Sequence, residues 1–127
     1  MWLSSVAKCY TFSRSLRLCK KKDFQFVYKT GRTFVDNAGI FYVFNNNNDV
    51  SSRIGVAAGK KLGNAVLRNR MKRCMREVYR HFQGNIAKGV DIIWIARRPL
   101  IKAEMKFFEK SFIKLAKRAG IFLKKED

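Results

Sequence analysis

The run Val-Asp-Ile-Ile-Trp-Ile-Ala at residues 90–96 constrains the fold of this chain more than any other stretch. A strand that is apolar at nearly every position has to be covered on both faces, so it reads as the centre of a small sheet. Gly89 leads into it, and Arg97, Arg98 and Pro99 end it. The rest of the chain must then supply its neighbouring strands and the helices that cover them.

Residues 60–77, KKLGNAVLRNRMKRCMRE, join a basic turn to a long helix with two opposed faces. Gly63 breaks the preceding strand, Asn64 is placed to cap the helix, and the helix should end near Gly84. Leu67, Met71, Cys74, Met75, Val78 and Phe82 recur at the helical period and form one apolar, core-facing arc. On the far side Arg68, Lys72, Arg76 and Arg80 stand at i, i+4 spacing, each step about 6 Å along the axis. Asn69 and Arg73 lie on the row beside them, and only Glu77 opposes the charge. Like charges at this spacing cost roughly 0.2–0.5 kcal/mol per pair, so the face calls for a polyanionic partner. Arg68 and Arg70 flank opposite sides of the apolar arc, so one partner surface cannot engage both equally. Arg70, nearer the packed edge, is expected to hydrogen-bond within the protein as well.

A first helix is expected to start at Asp23 as N-cap, carry Phe24, Val27 and Tyr28 on one stripe, and stop at Gly31. Residues 33–44 read as a strand or a bent pair of strands, with Ile40, Tyr42 and Phe44 on one face and Phe41 and Val43 on the other. The polar run Asn45-Asn46-Asn47-Asn48-Asp49 reads as a turn, and residues 53–59 as the strand that returns from it in a hairpin. Gly55, Ala57 and Gly59 share a face of that strand with almost no side chains, where another backbone can come close. Ile101, Met105, Phe108, Phe112, Leu115 and Ala119 mark a last amphipathic helix that Gly120 closes. The order α-β-β-α-β-α predicts an α+β two-layer sandwich. It occupies residues 14–120 as a single domain, after a variable basic arm at 1–13 and before a tail at 121–127. If the strands near Arg53 and Val90 are parallel, the general rule makes the crossover between them right-handed.

A net charge of +19 on 127 residues, with 47% hydrophobic content, describes a folded chain drawn to phosphate polymers or anionic membranes. Cations set on amphipathic elements of a mixed pattern favour nucleic acid over a membrane surface. No apolar run is long enough to span a bilayer and the first residues do not form a signal peptide, so nucleic acid and no membrane is the leading expectation for the partner. Cys9, Cys19 and Cys74 form no C-x-x-C pair, which fits a reducing, cytoplasmic setting, and the lone His81 cannot complete a zinc site. The acids are dispersed, which leaves no carboxylate cluster or nucleophile–base pair for hydrolysis. Residues 59–63 form a basic turn and not a phosphate-binding loop signature. Phe24, Tyr28 and Tyr42 are open to two readings, rings filling a core or a platform on which single-stranded nucleotides stack beside Lys20, Lys21, Lys22 and Lys29. Three classes of function remain: a non-catalytic subunit of a ribonucleoprotein enzyme, a general RNA-binding protein, and a basic protein of membrane surfaces.

The run from Asn64 through Arg68-Asn69-Arg70 and Lys72-Arg73 to Arg76 resembles the signature of the protein subunit of bacterial ribonuclease P. The likeness continues upstream over residues 18–31, with their paired lysines, Asp23-Phe24, Val27-Tyr28 and Gly31. It extends through Arg53-Ile54-Gly55-Val56 and Lys60-Lys61-Leu62-Gly63, and on to Asp91, Ala96 and Arg97. Cys19, Ala57 and Gly59 depart from the pattern, and the first dozen residues match nothing in it. The resemblance implies a left-handed β-α-β crossover, against the general rule. It implies assembly with a catalytic ribonuclease P RNA that removes the 5′ leader of precursor tRNA with Mg2+, the protein being an accessory subunit that binds no cofactor on its own. Lys60, Lys61, Asn64, Arg68, Asn69, Arg70, Lys72, Arg73 and Arg76 would then face the catalytic RNA, and Phe24, Tyr28 and Tyr42 would line a cleft for the leader.

Overall fold

The computed structural model describes residues 21–46 and 52–123, with the backbone alone at 21–24. The expected arm at 1–13, Cys9, Cys19, Lys20, the end of the tail, and the side chains of Lys21, Lys22 and Phe24 lie outside the described residues. The chain runs α1 (Lys21–Thr30), β1 (Arg32–Val35), β2 (Gly39–Asn45), β3 (Arg53–Ala57), α2 (Ala65–Phe82), β4 (Val90–Ala96) and α3 (Met105–Ala119). Short 3-10 turns at Lys60–Leu62, Gln83–Asn85 and Arg98–Leu100 flank the last three elements.

The four strands form one sheet in the order β1-β2-β4-β3. Strand β4 is interior as expected, antiparallel to β2 and parallel to β3, so β3-α2-β4 is a parallel crossover unit. The expected hairpin between residues 44 and 53 is not present: β4 lies between β2 and β3, pairing Asn45 with Val90 and Arg53 with Asp91. The physical reason is the apolar run of β4, which is satisfied only with a strand on each side. A half-buried ion pair supports the parallel register, because Arg53 Nε and Nη2 reach the two carboxylate oxygens of the buried Asp91 at 3.0 and 2.8 Å. Asn46 Nδ2 donates to the same carboxylate at 3.2 Å. The hairpin that does exist is the bent pair β1–β2, turned at Asp36, whose Oδ1 accepts from Ala38 N and Gly39 N.

Alternation along the strands divides the side chains between two faces. Phe41, Val43, Ile54, Val56, Ile92 and Trp94 join the main core with α2 and α3. Phe112 of α3 is its hub, with ring centroids 5.5 Å from Phe41, 5.2 Å from Trp94 and 6.4 Å from Tyr79 of α2. Phe41, Phe108 and Phe112 are wholly buried, and each contributes about 1.5–3 kcal/mol through burial. The opposite face is thin: Val27 of α1 and Ile93 are buried there, with Tyr42, Phe44 and Ile95 packed around them. The mixed α+β sandwich is therefore present, with α2 and α3 on one side of the sheet and α1 on the other.

Helix α1 starts earlier than the Asp23 cap predicts, at Lys21, and runs for 10 residues. Its stop is where expected. Gly31 donates its N–H to Val27 O at 2.8 Å, and a Cβ there would lie 2.6 Å from that oxygen and 2.9 Å from Val43 O. Only glycine lets the chain turn this tightly from helix into β1. At the far end Gly120 closes α3 in a left-handed conformation, as its position predicts.

Candidate nucleic-acid interface

Helix α2 is built outward from its cap. Asn64 Oδ1 accepts from Leu67 N at 3.0 Å, satisfying one of the orphan amides of the first turn, so this candidate residue spends its side chain on the helix. Before it, Lys60 and Lys61 stand exposed on the 3-10 turn that buried Leu62 pins to the core. Gly63 has φ 141°, and a Cβ there would meet Leu67 Cδ1 at 2.8 Å, so glycine is required to bring the lysine turn against the helix start. No acid occupies the first turn. The lysines, the unpaired amides and the positive end of the helix dipole therefore add at one place, which suits a phosphate.

Below the cap, Met71, Met75 and Val78 are buried and Leu67, Cys74 and Phe82 are half-buried, as the arc predicts, and Tyr79 is buried as well. Tyr79 did not stand out in the arc, although it follows Met75 by four residues. Its hydroxyl donates to Ser52 O at 2.8 Å, and burial pushes its pKa up to about 12. Burial also raises the pKa of the Cys74 thiol, with Arg70 and Arg73 pulling the other way, which is the ordinary state of a small apolar core residue.

The cations of α2 are not equivalent. Arg68, Arg70, Lys72 and Arg76 are half-buried, while Asn69 and Arg73 are exposed. Arg68 Nε donates to Gly63 O at 3.1 Å, a bond within its own helix start. Arg70 Nη2 donates to Ala103 O at 3.1 Å and ties α2 to the segment before α3, while its Nη1 is buried with no partner among the described residues. The intramolecular role expected for Arg70 is thus present, and Arg68 shares it in a more local form. Arg80 is paired with Glu77. The row most open to a partner is therefore Asn69–Arg73, one step around the helix from the row the i, i+4 spacing emphasises. Val66, 76% exposed in the first turn, lies on the same end and was passed over because an isolated valine carries no charge signal.

On the other face of the sheet, two aromatic pairs bridge α1 and β2. Tyr28 and Tyr42 meet edge to face with centroids 4.9 Å apart, and Phe26 and Phe44 repeat the arrangement at 4.9 Å. Tyr28 is 40% exposed and Phe26 50%, so neither fills a core. Burial, then the neighbouring Tyr42, raises the Tyr28 pKa above its ordinary value. Phe26 was missed because it falls off the stripe of Val27, yet its partner Phe44 shares a strand face with Tyr42. Gly55 and Ala57 pair in parallel with Ile93 and Ile95, so the floor beside these rings is nearly bare of side chains. Tyr28 and Tyr42 are brought together, on the face opposite α2. Lys29 is exposed at the end of the same helix.

Among the described residues no helix is long and apolar enough to cross a membrane, and no group of three or more His, Cys, Asp or Glu residues could hold a metal ion. A family model described as Ribonuclease P matches residues 12–120. The chain is 38% identical over 107 residues to the ribonuclease P protein component of Clostridium novyi, spanning 84% of this chain and 95% of that one. With its counterpart from Clostridioides difficile it shares 39% over 111 residues, spanning 87% and 96%. Among solved structures, the RNase P protein of Staphylococcus aureus matches with a TM-score of 0.76 at 36% identity, over 84% of this chain and 97% of that one. The RNase P protein of Thermotoga maritima matches with a TM-score of 0.73 at 31% identity, over 80% and 96%. On sequence and fold together, the chain belongs to the ribonuclease P protein family.

Proposed function

We propose that this protein is the accessory subunit of a ribonucleoprotein endonuclease, binding a ribonuclease P RNA with α2 and the 5′ leader of precursor tRNA with the α1–β2 face. The observation that carries the reading is the separation of the two surfaces. Lys60 and Lys61 before the start of α2 and Arg73 midway along it lie on one side of the sheet, and the exposed Tyr28 with the half-buried Tyr42 lies on the other. Structured RNA is held through its phosphates, for which the first surface is suited. An unpaired strand offers base faces to stack, for which the second is suited, at about 1–3 kcal/mol per base. Phe24 is assigned to the second surface from the family resemblance.

The chemistry in this reading belongs to the RNA. Asp91 is taken by Arg53, Glu77 by Arg80 and Asp36 by its own turn, so these acids offer no cluster for a divalent ion. Among the described residues no side chains are grouped to hold magnesium, and no step of the reaction is routed through the protein. Its contribution is to position leader and RNA together and to offset their mutual repulsion, so that less Mg2+ is required. A cytoplasmic site of action follows from the substrate.

The test is reconstitution. Adding the protein to a ribonuclease P RNA and precursor tRNA at low Mg2+ should restore cleavage at the 5′ end of the mature tRNA. A general RNA-binding protein would retard the RNAs on a gel without stimulating cleavage, and that outcome would reject the proposal.

A further inference from the structure

We infer that the outward row of α3 is a second contact for the partner RNA, taking a backbone segment other than the one held by α2; the inference rests on the function proposed above. Lys106, Lys110, Lys114 and Arg118 follow one another at i, i+4 and all four are exposed. The corresponding row of α2 is half-buried and partly consumed by Gly63 O and Glu77. By exposure, α3 carries the more available cations. The row spans about 18 Å along the axis, enough to follow a strand through several phosphates.

Ordinary helix electrostatics accounts for only part of this row. Lys117 and Arg118 sit in the last turn, where cations complement the dipole, and Arg118 also donates to Val35 O. Lys106 is in the first turn, where the dipole opposes a cation, and no acid occupies that turn. Its contact with Glu104 is 3.7 Å long with both side chains more than two-thirds exposed, which is worth little in water. Lys110 and Lys114 have no acid within ion-pair distance among the described residues. The repulsion in the row is thus left for a partner to relieve.

The adjoining surface fits RNA in a second respect. Phe107 is 50% exposed, with Lys106 Nζ 5.8 Å from its ring centre, and an open groove of about 440 Å³ runs beside it to Ile113. A ring flanked by lysines offers a base a stacking face next to phosphate contacts. Two apolar residues are too few to seat this helix in a membrane interface. The partner RNA is favoured over the substrate leader because α3 packs beside α2, tied to it through Arg70 and Ala103, and lies across the sheet from Tyr28.

The test is the salt dependence of assembly with ribonuclease P RNA for the wild type and for K106Q/K110Q/K114Q, with folding checked by circular dichroism. Each lost phosphate contact removes roughly 0.7–0.9 from the slope of log K against log salt, so the triple variant should flatten it by about 2 to 3. Should the triple variant fail to fold, K110Q alone should flatten it by just under about 1. An unchanged slope overturns the inference. So does a change confined to precursor tRNA binding by the assembled enzyme, which would give the row to the substrate. Loss of binding to phosphatidylserine vesicles with an unchanged RNA slope would give it to a lipid surface. A wild type that does not bind ribonuclease P RNA fails at an earlier step and takes the proposed function with it.

Discussion

On one side of the sheet α2 and α3 bury Tyr79, Trp94 and Phe112 in a thick core and turn cations outward; on the other, α1 buries Val27 and leaves Phe26 and Tyr28 in solvent. In the proposed function the contrast is between two ways of holding RNA. Dense positive charge opposes folding by self-repulsion, so it is displayed where burial is deepest and can offset it. Rings that are to stack must be reachable and adjustable, and Phe26 and Tyr28 stand on a 10-residue helix that would be marginal alone.

The sharpest way to break the contrast is at Gly63, whose backbone brings the lysine turn against α2. Gly63→Ala should lower stability by up to about 3 kcal/mol, since φ 141° is a region almost reserved for glycine. Urea denaturation that finds the variant as stable as wild type would show that the turn can relax. Next is the difference within α2. Arg70→Ala should cost about 2 kcal/mol of stability by removing a charged donor from Ala103 O, whereas Arg73→Ala should stay within about 0.5 kcal/mol and act on RNA binding alone. Equal stabilities for the two would erase the distinction between a staple and a contact.

The smallest effect is a pH dependence on the thick side. Tyr79 titrates at about 12 in the folded protein, above the usual tyrosine value near 10. Its contribution to stability is complete below about pH 10 and is lost as pH rises toward the folded value, because the unfolded chain ionises first. The unfolding free energy should therefore fall by about 1 kcal/mol between pH 9 and pH 11, and Tyr79→Phe should reduce that fall. If the variant shows the same slope as the wild type, the hydroxyl is not the group responsible.

Much of this arrangement is legible in the sequence where a local period carries it. The arc of α2, its Asn64 cap, the interior strand Val90–Ala96 and the stripe of α3 all follow from spacing, and the helical wheel singles out Arg70. Strand partnership does not follow. Residues 39–45 and 53–57 are adjacent in the chain and bounded by a polar turn, yet the strand between them comes from residues 90–96, because pairing is decided by what β4 needs on its two edges. The aromatic face was half legible: Tyr28 and Tyr42 were singled out, but stacking and core packing give the same periodicity, and only the exposure of α1 separates them. The α3 row has the same i, i+4 signal as α2, and was hidden because the apolar stripe of that helix explains its existence without the cations.

The division of labour between the two sides is tested most directly by two double variants assayed in parallel, Asn69→Ala/Arg73→Ala and Tyr28→Ala/Tyr42→Ala. For each, the affinity for ribonuclease P RNA and the preference of the assembled enzyme for precursor tRNA with a long over a short leader would be measured. The first variant should weaken assembly and keep the leader preference; the second should assemble as the wild type does and lose the preference, by about 1 kcal/mol or more per unstacked base. If either variant moves both quantities together, the two surfaces are one, and the account is wrong.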